Sequence, residues 1–384
     1  LLVIGCPGAL VISIPVAIVA GIGRAARNGI LIKGGEYLET SAKIDVVAVD
    51  KTGTLTEGRP ELTDVLVLDP AMDRADVLAL AAGGEAGSEH PLARPILEAA
   101  AAEGIRYDTP DSVKPVAGKG LTAQVDGHRV LIGNQALLEQ FGVDDDGAAQ
   151  RAADEFARDG KTPMIIAVDS RVAGVIAVAD TIRADAAEMV SRLHEAGVEK
   201  VIMLTGDVRL VAEAVAKATG VDEVRASMLP EDKLDAVTEL QRQGHTVAMV
   251  GDGVNDAPAL ATADIGVAMG AAGSAVAVET ADIALMGDDL LRLPEAIGLA
   301  KRTVSVMRQN IAIAMITVVA LLAGVFAGGV TMSIGMLVHE GSVLVVIVNA
   351  MRLMRRRGSA PKVVAAPVRG GADLGDADRD SVKV

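Results

Sequence analysis

Three long apolar runs, one at the start of the chain and two near its end, constrain this sequence more than any other feature. Residues 1–23 are almost uninterruptedly apolar and are followed by Arg24, Arg27 and Lys33, as expected where a membrane helix meets the cytosol. Residues 309–329 and 332–351 form two further runs, each near the ~20 residues a helix needs to cross ~30 Å of hydrocarbon. The link between these two is very short and carries no Lys or Arg. Lys301, Arg302 and Arg308 precede the pair, and Arg352, Arg355, Arg356 and Arg357 follow it. The excess of basic residues on those flanks places both ends of the hairpin, and everything from residue 24 to 310, in the cytosol. A multi-pass protein of the cell membrane is expected, with the lipid bilayer as a partner and one large cytoplasmic loop. Pro7, Gly8 and Pro15 interrupt the first run. Proline removes a backbone donor and clashes with the preceding turn, which predicts a kink or unwinding near residues 6–8 and carbonyls free to face an ion.

Charge and cysteine content narrow the function classes. With 36 Lys+Arg against 51 Asp+Glu the formal charge is −15, so nucleic acid is not an expected partner. Cys6 is the single cysteine, which excludes an intrachain disulfide and leaves its thiol for other chemistry. The chain opens Leu1-Leu2-Val3-Ile4 with no Met and no basic leader, and reads as the interior of a longer protein whose N-terminal part is a missing partner.

Within the cytosolic stretch, short apolar runs predict strands at Val46–Val49, Val201–Leu204, Thr246–Val250, Ile265–Ala268 and Ile283–Met286. Each is continuous in apolar character, as a parallel sheet covered on both faces requires. Residues 44–60 and 170–298 are therefore expected to form an α/β domain, interrupted by residues 61–169, too long a segment for a loop and marked by turns at Asp126-Gly127 and Asp159-Gly160. Residues 358–384, rich in Gly, Ala, Asp and Pro, are expected to be a disordered tail.

Asp50-Lys51-Thr52-Gly53-Thr54 follows directly on the first strand, which puts a carboxylate at the carboxyl end of a parallel strand, where such sheets bind ligands. A lone aspartate there can be a nucleophile or simply a cap for the next turn. It has companions: Thr205-Gly206-Asp207 ends the second strand, Gly251-Asp252-Gly253-Val254-Asn255-Asp256 ends the third, and Lys233 lies between them. Phosphoryl transfer needs this combination, a carboxylate to take the group, hydroxyl and ammonium donors for its equatorial oxygens, and further carboxylates for Mg²⁺. For Gly53, Gly206, Gly251 and Gly253, turn geometry alone is a sufficient explanation, and close approach to phosphate is compatible with it.

On these residues the chain resembles the P-type ion-transporting ATPases, and more specifically their heavy-metal (CPx-type) branch, from residue 1 to about 354. The resemblance implies a haloacid-dehalogenase-like, Rossmannoid α/β phosphorylation domain with an inserted α+β nucleotide-binding domain and three membrane helices. It implies that Asp50 becomes an aspartyl-phosphate beside Lys51, that Asp50, Asp252, Asp256 and the main chain at Thr52 hold Mg²⁺, and that Thr205 and Lys233 contact phosphoryl oxygens, with Gly206, Asp207 and Asn255 completing the pocket. In the insert, Ser88-Glu89-His90-Pro91 and Gly118-Lys119-Gly120 are similar to elements that line the family's ATP site, implying Glu85, His90, Gly118 and Gly120 at the nucleotide. Without that likeness, a histidine beside a proline is more often a turn or helix-cap residue than a ligand contact. Asp180 and Arg183 resemble a hinge between the two domains.

In the membrane, Cys6 lies in the first run and His339-Glu340 near the middle of the last. A carboxylate at bilayer depth costs about 2.5–3.5 kcal/mol on insertion scales, so Glu340 is expected to face the bundle interior. Thiolate, imidazole and carboxylate together suit a divalent transition metal such as Zn, Co, Cd or Fe better than Ca²⁺ or Mg²⁺. The alternative is that Cys6 is a small buried hydrophobe and that His339 and Glu340 pair with one another or cap a break at Gly341. Many relatives resemble Cys-Pro-Cys here and cobalt-type ones Ser-Pro-Cys; this chain has Cys6-Pro7-Gly8, with a His339-Glu340-Gly341-Ser342 segment of the cobalt, zinc or iron type.

The expected activity is ATP-driven metal export through an aspartyl-phosphate. Nothing in the chain resembles the family's Thr-Gly-Glu actuator loop, so ATP binding and autophosphorylation are what is expected of this chain by itself. Two other readings stand beside it. A haloacid-dehalogenase-type phosphatase would share the core but resemble Asp-x-Asp where this chain has Thr52, and a non-catalytic membrane metal-binding protein would have no reason to keep Asp50, Lys233, Asp252 and Asp256.

Overall fold

The computed structural model describes residues 8–88, 90–143, 145–252, 256–270 and 279–354. Two sheets and three long helices organise them. The first sheet has seven strands in the order β1 (Ile30–Ile32), β13 (Ile283–Leu285), β12 (Ile265–Ala268), β11 (Val247–Gly251), β2 (Val46–Asp50), β9 (Lys200–Leu204) and β10 (Glu223–Arg225). All neighbours run parallel except β1, which is antiparallel to β13 at the edge.

Both faces of this sheet are covered, which explains why its strands are apolar throughout. Val47, Val49, Val201, Met203, Ala248 and Val250 point to one face, where they meet α7 (Ala186–Glu195) and α8 (Arg209–Thr219). Val46, Ala48, Ile202, Leu204, Val247 and Met249 point to the other, against α9 (Pro230–Arg242) and α10 (Ala257–Thr262). Full burial of each Val or Ile in these rows contributes on the order of 1.5–3 kcal/mol. Register then does the placing: Asp50 pairs with Leu204 and Val49 with Val250, so the loops that begin at Thr205 and after Gly251 flank Asp50.

The second sheet is antiparallel throughout, in the order β3 (Thr56–Val67), β8 (Arg171–Ile182), β7 (Thr162–Val168), β6 (His128–Gly133), β5 (Gly120–Val125) and β4 (Ser112–Val116). Against it lie α3 (Arg74–Glu85) and α4 (Ala93–Ala102), with Val77, Leu78, Ala81 and Ile96 fully buried. The passage between sheets differs from the expected boundaries at residues 60 and 170. β3 already pairs with β8 from Thr56, and the chain stays in the second sheet until Ile182. The physical reason is that β3 and β8 are two long strands that need each other's hydrogen bonds, and an apolar run such as 173–178 serves either sheet equally well.

α1 (Gly8–Arg27), α11 (Arg292–Phe326) and α12 (Met332–Met351) are long and apolar enough to cross a membrane. α11 is 35 residues long, about 50 Å at 1.5 Å per residue, far more than a bilayer needs. Its first turns bury Leu293, Ala296, Ile297 and Ala300 in the first sheet's core, and its remainder packs against α1 and α12. One rigid element therefore runs from the cytosolic sheet into the apolar zone. Ser13, Asn310 and Asn349 link the three helices: Asn310 Nδ2 donates to the Ser13 carbonyl at 3.3 Å, and Asn349 Nδ2 to Asn310 Oδ1 at 2.8 Å. Pro15 lies within α1, while the kink expected at residues 6–8 falls largely, and the tail 358–384 wholly, outside the described residues.

Candidate active site

Residues 51–54 make a tight turn off the end of β2. Thr52 (φ −75°, ψ 128°) and Gly53 (φ 72°, ψ −6°) have the dihedrals of a type II turn, whose second central position needs a positive φ. A Cβ on Gly53 would also come within 3.2 Å of Asp252 Oδ2, so glycine serves both the turn and the close approach of β2 and β11 loops.

The turn sets Asp50 beside a buried lysine. Lys233 Nζ, at the start of α9, donates to Asp50 Oδ1 at 2.5 Å and to Asp256 Oδ1 at 2.7 Å. All three groups are at least nine-tenths buried. Burial and then the Asp256 carboxylate push Asp50 up to about 7, although Lys233 pulls the other way. Burial acts to lower the Lys233 pKa, but the two carboxylates outweigh it and the net direction is upward. Lys51 forms an ion pair with Asp207, and Thr205 Oγ1 accepts the Asp207 N–H at 3.2 Å. Thr54 Oγ1 is buried without a hydrogen-bond partner among the described residues. Asp50, Lys51, Thr205, Gly206, Asp207, Lys233, Asp252 and Asp256 are thus gathered at one end of the sheet, with Thr52 exposed at its lip. Asn255 lies outside the described residues.

No three His, Cys, Asp or Glu side chains among the described residues form a ready metal cage. Mg²⁺ seldom has one, being held by one or two carboxylates together with phosphate oxygens and water. Asp50, Asp252 and Asp256 fit that habit, being carboxylates at one sheet end with Lys233 bonded to two of them.

Asp180 and Arg183 brace the strands that leave this site. Asp180 accepts from Thr56 Oγ1 (2.5 Å), Gly58 N (3.1 Å) and Arg59 N (3.0 Å), and Arg183 Nε donates to the carbonyls of Thr54 (3.1 Å) and Thr56 (3.0 Å). Thr54 closes the Asp50 string without a role of its own in the sequence reading, and for Thr56 the available signal is its place two residues beyond that string.

On the second sheet, the Gly83-Gly84 pair lets α3 settle on β5 and β6, because a Cβ at Gly84 would meet Ile132 Cδ1 at 2.6 Å. That brings Glu85 to the sheet with only 3% of its surface exposed, its Oε2 without a partner among the described residues. Burial pushes the Glu85 pKa up. His90 is exposed, and its Nδ1 accepts the Leu92 N–H at 3.2 Å in the turn ahead of α4, which leaves the proton of a neutral ring on Nε2. Gly118 (φ +70°) has open space beside it, and a Cβ on Gly120 (φ +133°) would strike the Ile132 carbonyl at 2.1 Å.

In the membrane helices, His339 is half-buried, its Nε2 2.9 Å from where a Cβ on Gly8 would lie. Glu340 is exposed, where the bundle interior was expected. The buried seam of α12 runs through Gly335, Ser342, Val346 and Ala350, which includes the azimuth of His339 but not of its neighbour. Cys6 lies outside the described residues.

The chain belongs to the haloacid dehalogenase-like hydrolase family, whose description matches residues 44–264, more than half of its length. Within that class it is similar to heavy-metal-transporting P-type ATPases. A probable cadmium-transporting ATPase of Staphylococcus aureus (strain MRSA252) is 42% identical over 92% of this chain and 49% of its own length. A zinc-exporting P-type ATPase of Mycobacterium marinum (strain ATCC BAA-535 / M) is 42% identical over 93% of this chain and 49% of its own. The crystal structure of a zinc-transporting PIB-type ATPase in the E2.Pi state superposes with a TM-score of 0.73 at 42% identity, over 92% of this chain and 57% of that one. The chain spans about half the length of the curated relatives it matches. It is a membrane protein in which the two sheets are cytoplasmic and the three apolar helices span the bilayer.

Proposed function

We propose that this chain is the phosphorylation, nucleotide-binding and distal membrane part of an ATP-driven exporter of a divalent transition metal. The buried Asp50–Lys233–Asp256 cluster carries the proposal. An Asp50 carboxylate oxygen attacks the γ-phosphorus of ATP, the bond to the β,γ-bridging oxygen breaks, and ADP leaves with the electron pair, so that an aspartyl-phosphate forms. Lys233 then shares its ammonium with the new phosphoryl oxygens, and the buried Thr205 hydroxyl donates to another. Asp252, Asp256 and the main chain at Thr52 would hold Mg²⁺, which when bound offsets the charge on the transferring group. Thr52 supplies no carboxylic acid to activate water, which favours a long-lived intermediate over the phosphatase alternative.

ATP is proposed to lie on the second sheet, its adenine taking Glu85 Oε2 and the His90 Nε2–H, with open backbone at Gly118 for the ribose or base. Cys6, His339 and Glu340 are proposed to bind the exported ion, Glu340 from a face of α12 that the described helices leave uncovered. The relatives' names include cadmium, zinc and manganese, and the mixed sulfur, nitrogen and oxygen donor set suits the first two better than the third. Incubating the purified chain with γ-³²P-ATP and Mg²⁺, quenching in acid and treating with hydroxylamine tests the chemistry. A hydroxylamine-labile label that is absent from Asp50→Asn supports it; an undiminished label in that variant refutes it.

A further inference from the structure

Where α1, α11 and α2 (Gly35–Ser41) meet, a cavity of about 450 Å³ opens at the cytosolic ends of the membrane helices. Its lining divides by chemistry. Ile14 belongs to the first apolar run and Ile311 to the start of the apolar part of α11, whereas Lys43, Lys301 and Arg308 come from the cytosolic side of both. Lys301 is already fixed, donating to the carbonyls of Ala196 (2.6 Å) and Gly197 (3.3 Å) just beyond α7. Lys43 and Arg308 are exposed, and neither forms an ion pair among the described residues. Glu39 is the one acidic side chain in the lining. Three cations facing one carboxylate stand out in a chain whose formal charge is −15.

A metal cation would be repelled by this lining, and a free anion would gain nothing from Ile14 and Ile311. A ligand with an anionic head and an apolar tail satisfies both halves, and the lining lies where the basic flank of α11 gives way to its apolar part, the kind of boundary at which headgroups sit. We propose that the cavity binds one anionic phospholipid, with its phosphate on Lys43 and Arg308 and an acyl chain along Ile14 and Ile311. This rests on the membrane setting of the helices and not on the identity of the pumped ion. Lys43 lies just before β2, the strand that ends in Asp50, and Arg308 lies on the continuous rod of α11. A bound headgroup therefore ties the lead-in of the phosphorylation strand to the membrane helices.

Native mass spectrometry of the full chain in neutral detergent, offered equimolar phosphatidylglycerol and phosphatidylcholine with matched acyl chains, tests this. The expected result is one retained phosphatidylglycerol, weakened about tenfold or more in Lys43→Ala/Arg308→Ala. Arg302→Ala, an exposed cation on the same helix whose Nε bonds the Gly298 carbonyl, should leave retention unchanged. If the double variant melts differently by circular dichroism, the single charge reversal Lys43→Glu serves in its place. Equal retention of phosphatidylcholine, an equal loss in Arg302→Ala, or displacement by free glycerol 3-phosphate overturns the proposal. So do spectra showing paired chains and no lipid, which would make the cavity a contact between copies.

Discussion

The proposed phosphorylation site and the proposed membrane metal ligands rest on the same kind of chemistry, yet the structure describes them differently. At Asp50 the parallel register delivers Thr205, Asp252 and Asp256 to one sheet end, and Lys233 closes the group with two bonds of 2.5 and 2.7 Å. In the helices His339 lies on the packed seam and Glu340 is exposed, and Cys6 lies outside the described residues. Sheet register is fixed by backbone hydrogen bonds along every residue. Helix azimuth is set by packing against neighbours, so a site spread over helices depends on partners in a way that a sheet-end site does not.

Variants can sharpen or break this contrast. The largest expected effect is Lys233→Met, which leaves two buried carboxylates without their cation. It should destabilise the cytosolic sheet by about 3–5 kcal/mol in urea unfolding and remove phosphorylation. Full activity in that variant would mean the site is not preorganised by the lysine. Next is Gly120→Ala, where the added Cβ meets a carbonyl at 2.1 Å in a conformation that disfavours side chains. A loss of about 2 kcal/mol in stability, with weaker ATP binding in a calorimeter and an unchanged Asp50 ion pair, is expected. Asn310→Leu removes the polar link among α1, α11 and α12. Membrane-helix hydrogen bonds are worth about 0.6–1.7 kcal/mol, so a small drop in detergent-unfolding midpoint is expected, and no change in labelling at Asp50. Smallest on phosphorylation is His339→Ala, which should leave ATP labelling intact while lowering zinc or cadmium binding measured by equilibrium dialysis. A large loss of labelling from His339→Ala would erase the contrast between the two regions.

How much was legible follows the same division. The five core strands stand where their apolar runs predicted, within about a residue or two at each end, because burial on both faces leaves an unmistakable pattern. The short edge strands β1 and β10 were not predicted, since three residues carry no period. The boundary near residue 170 shifted to Ile182 because an apolar strand does not announce which of two sheets it joins. Asp50, Lys233 and Asp256 were legible as a group from order and spacing. The bracing by Thr56 with Asp180 was not, as it links residues 124 positions apart. Glu340's exposure was hidden too, since one residue along a helix rotates a side chain by about 100° and the sequence alone does not say which azimuth is covered.

The account stands most directly on the covalent fate of one carboxylate. Reducing the acid-quenched phosphoprotein with borohydride converts an aspartyl-phosphate to homoserine, which peptide mass spectrometry can place. Homoserine at position 50 and at no other aspartate is the predicted result. Homoserine elsewhere, or a label that survives reduction as a serine or threonine phosphate, would contradict the assignment of Asp50 as the group that receives the phosphoryl.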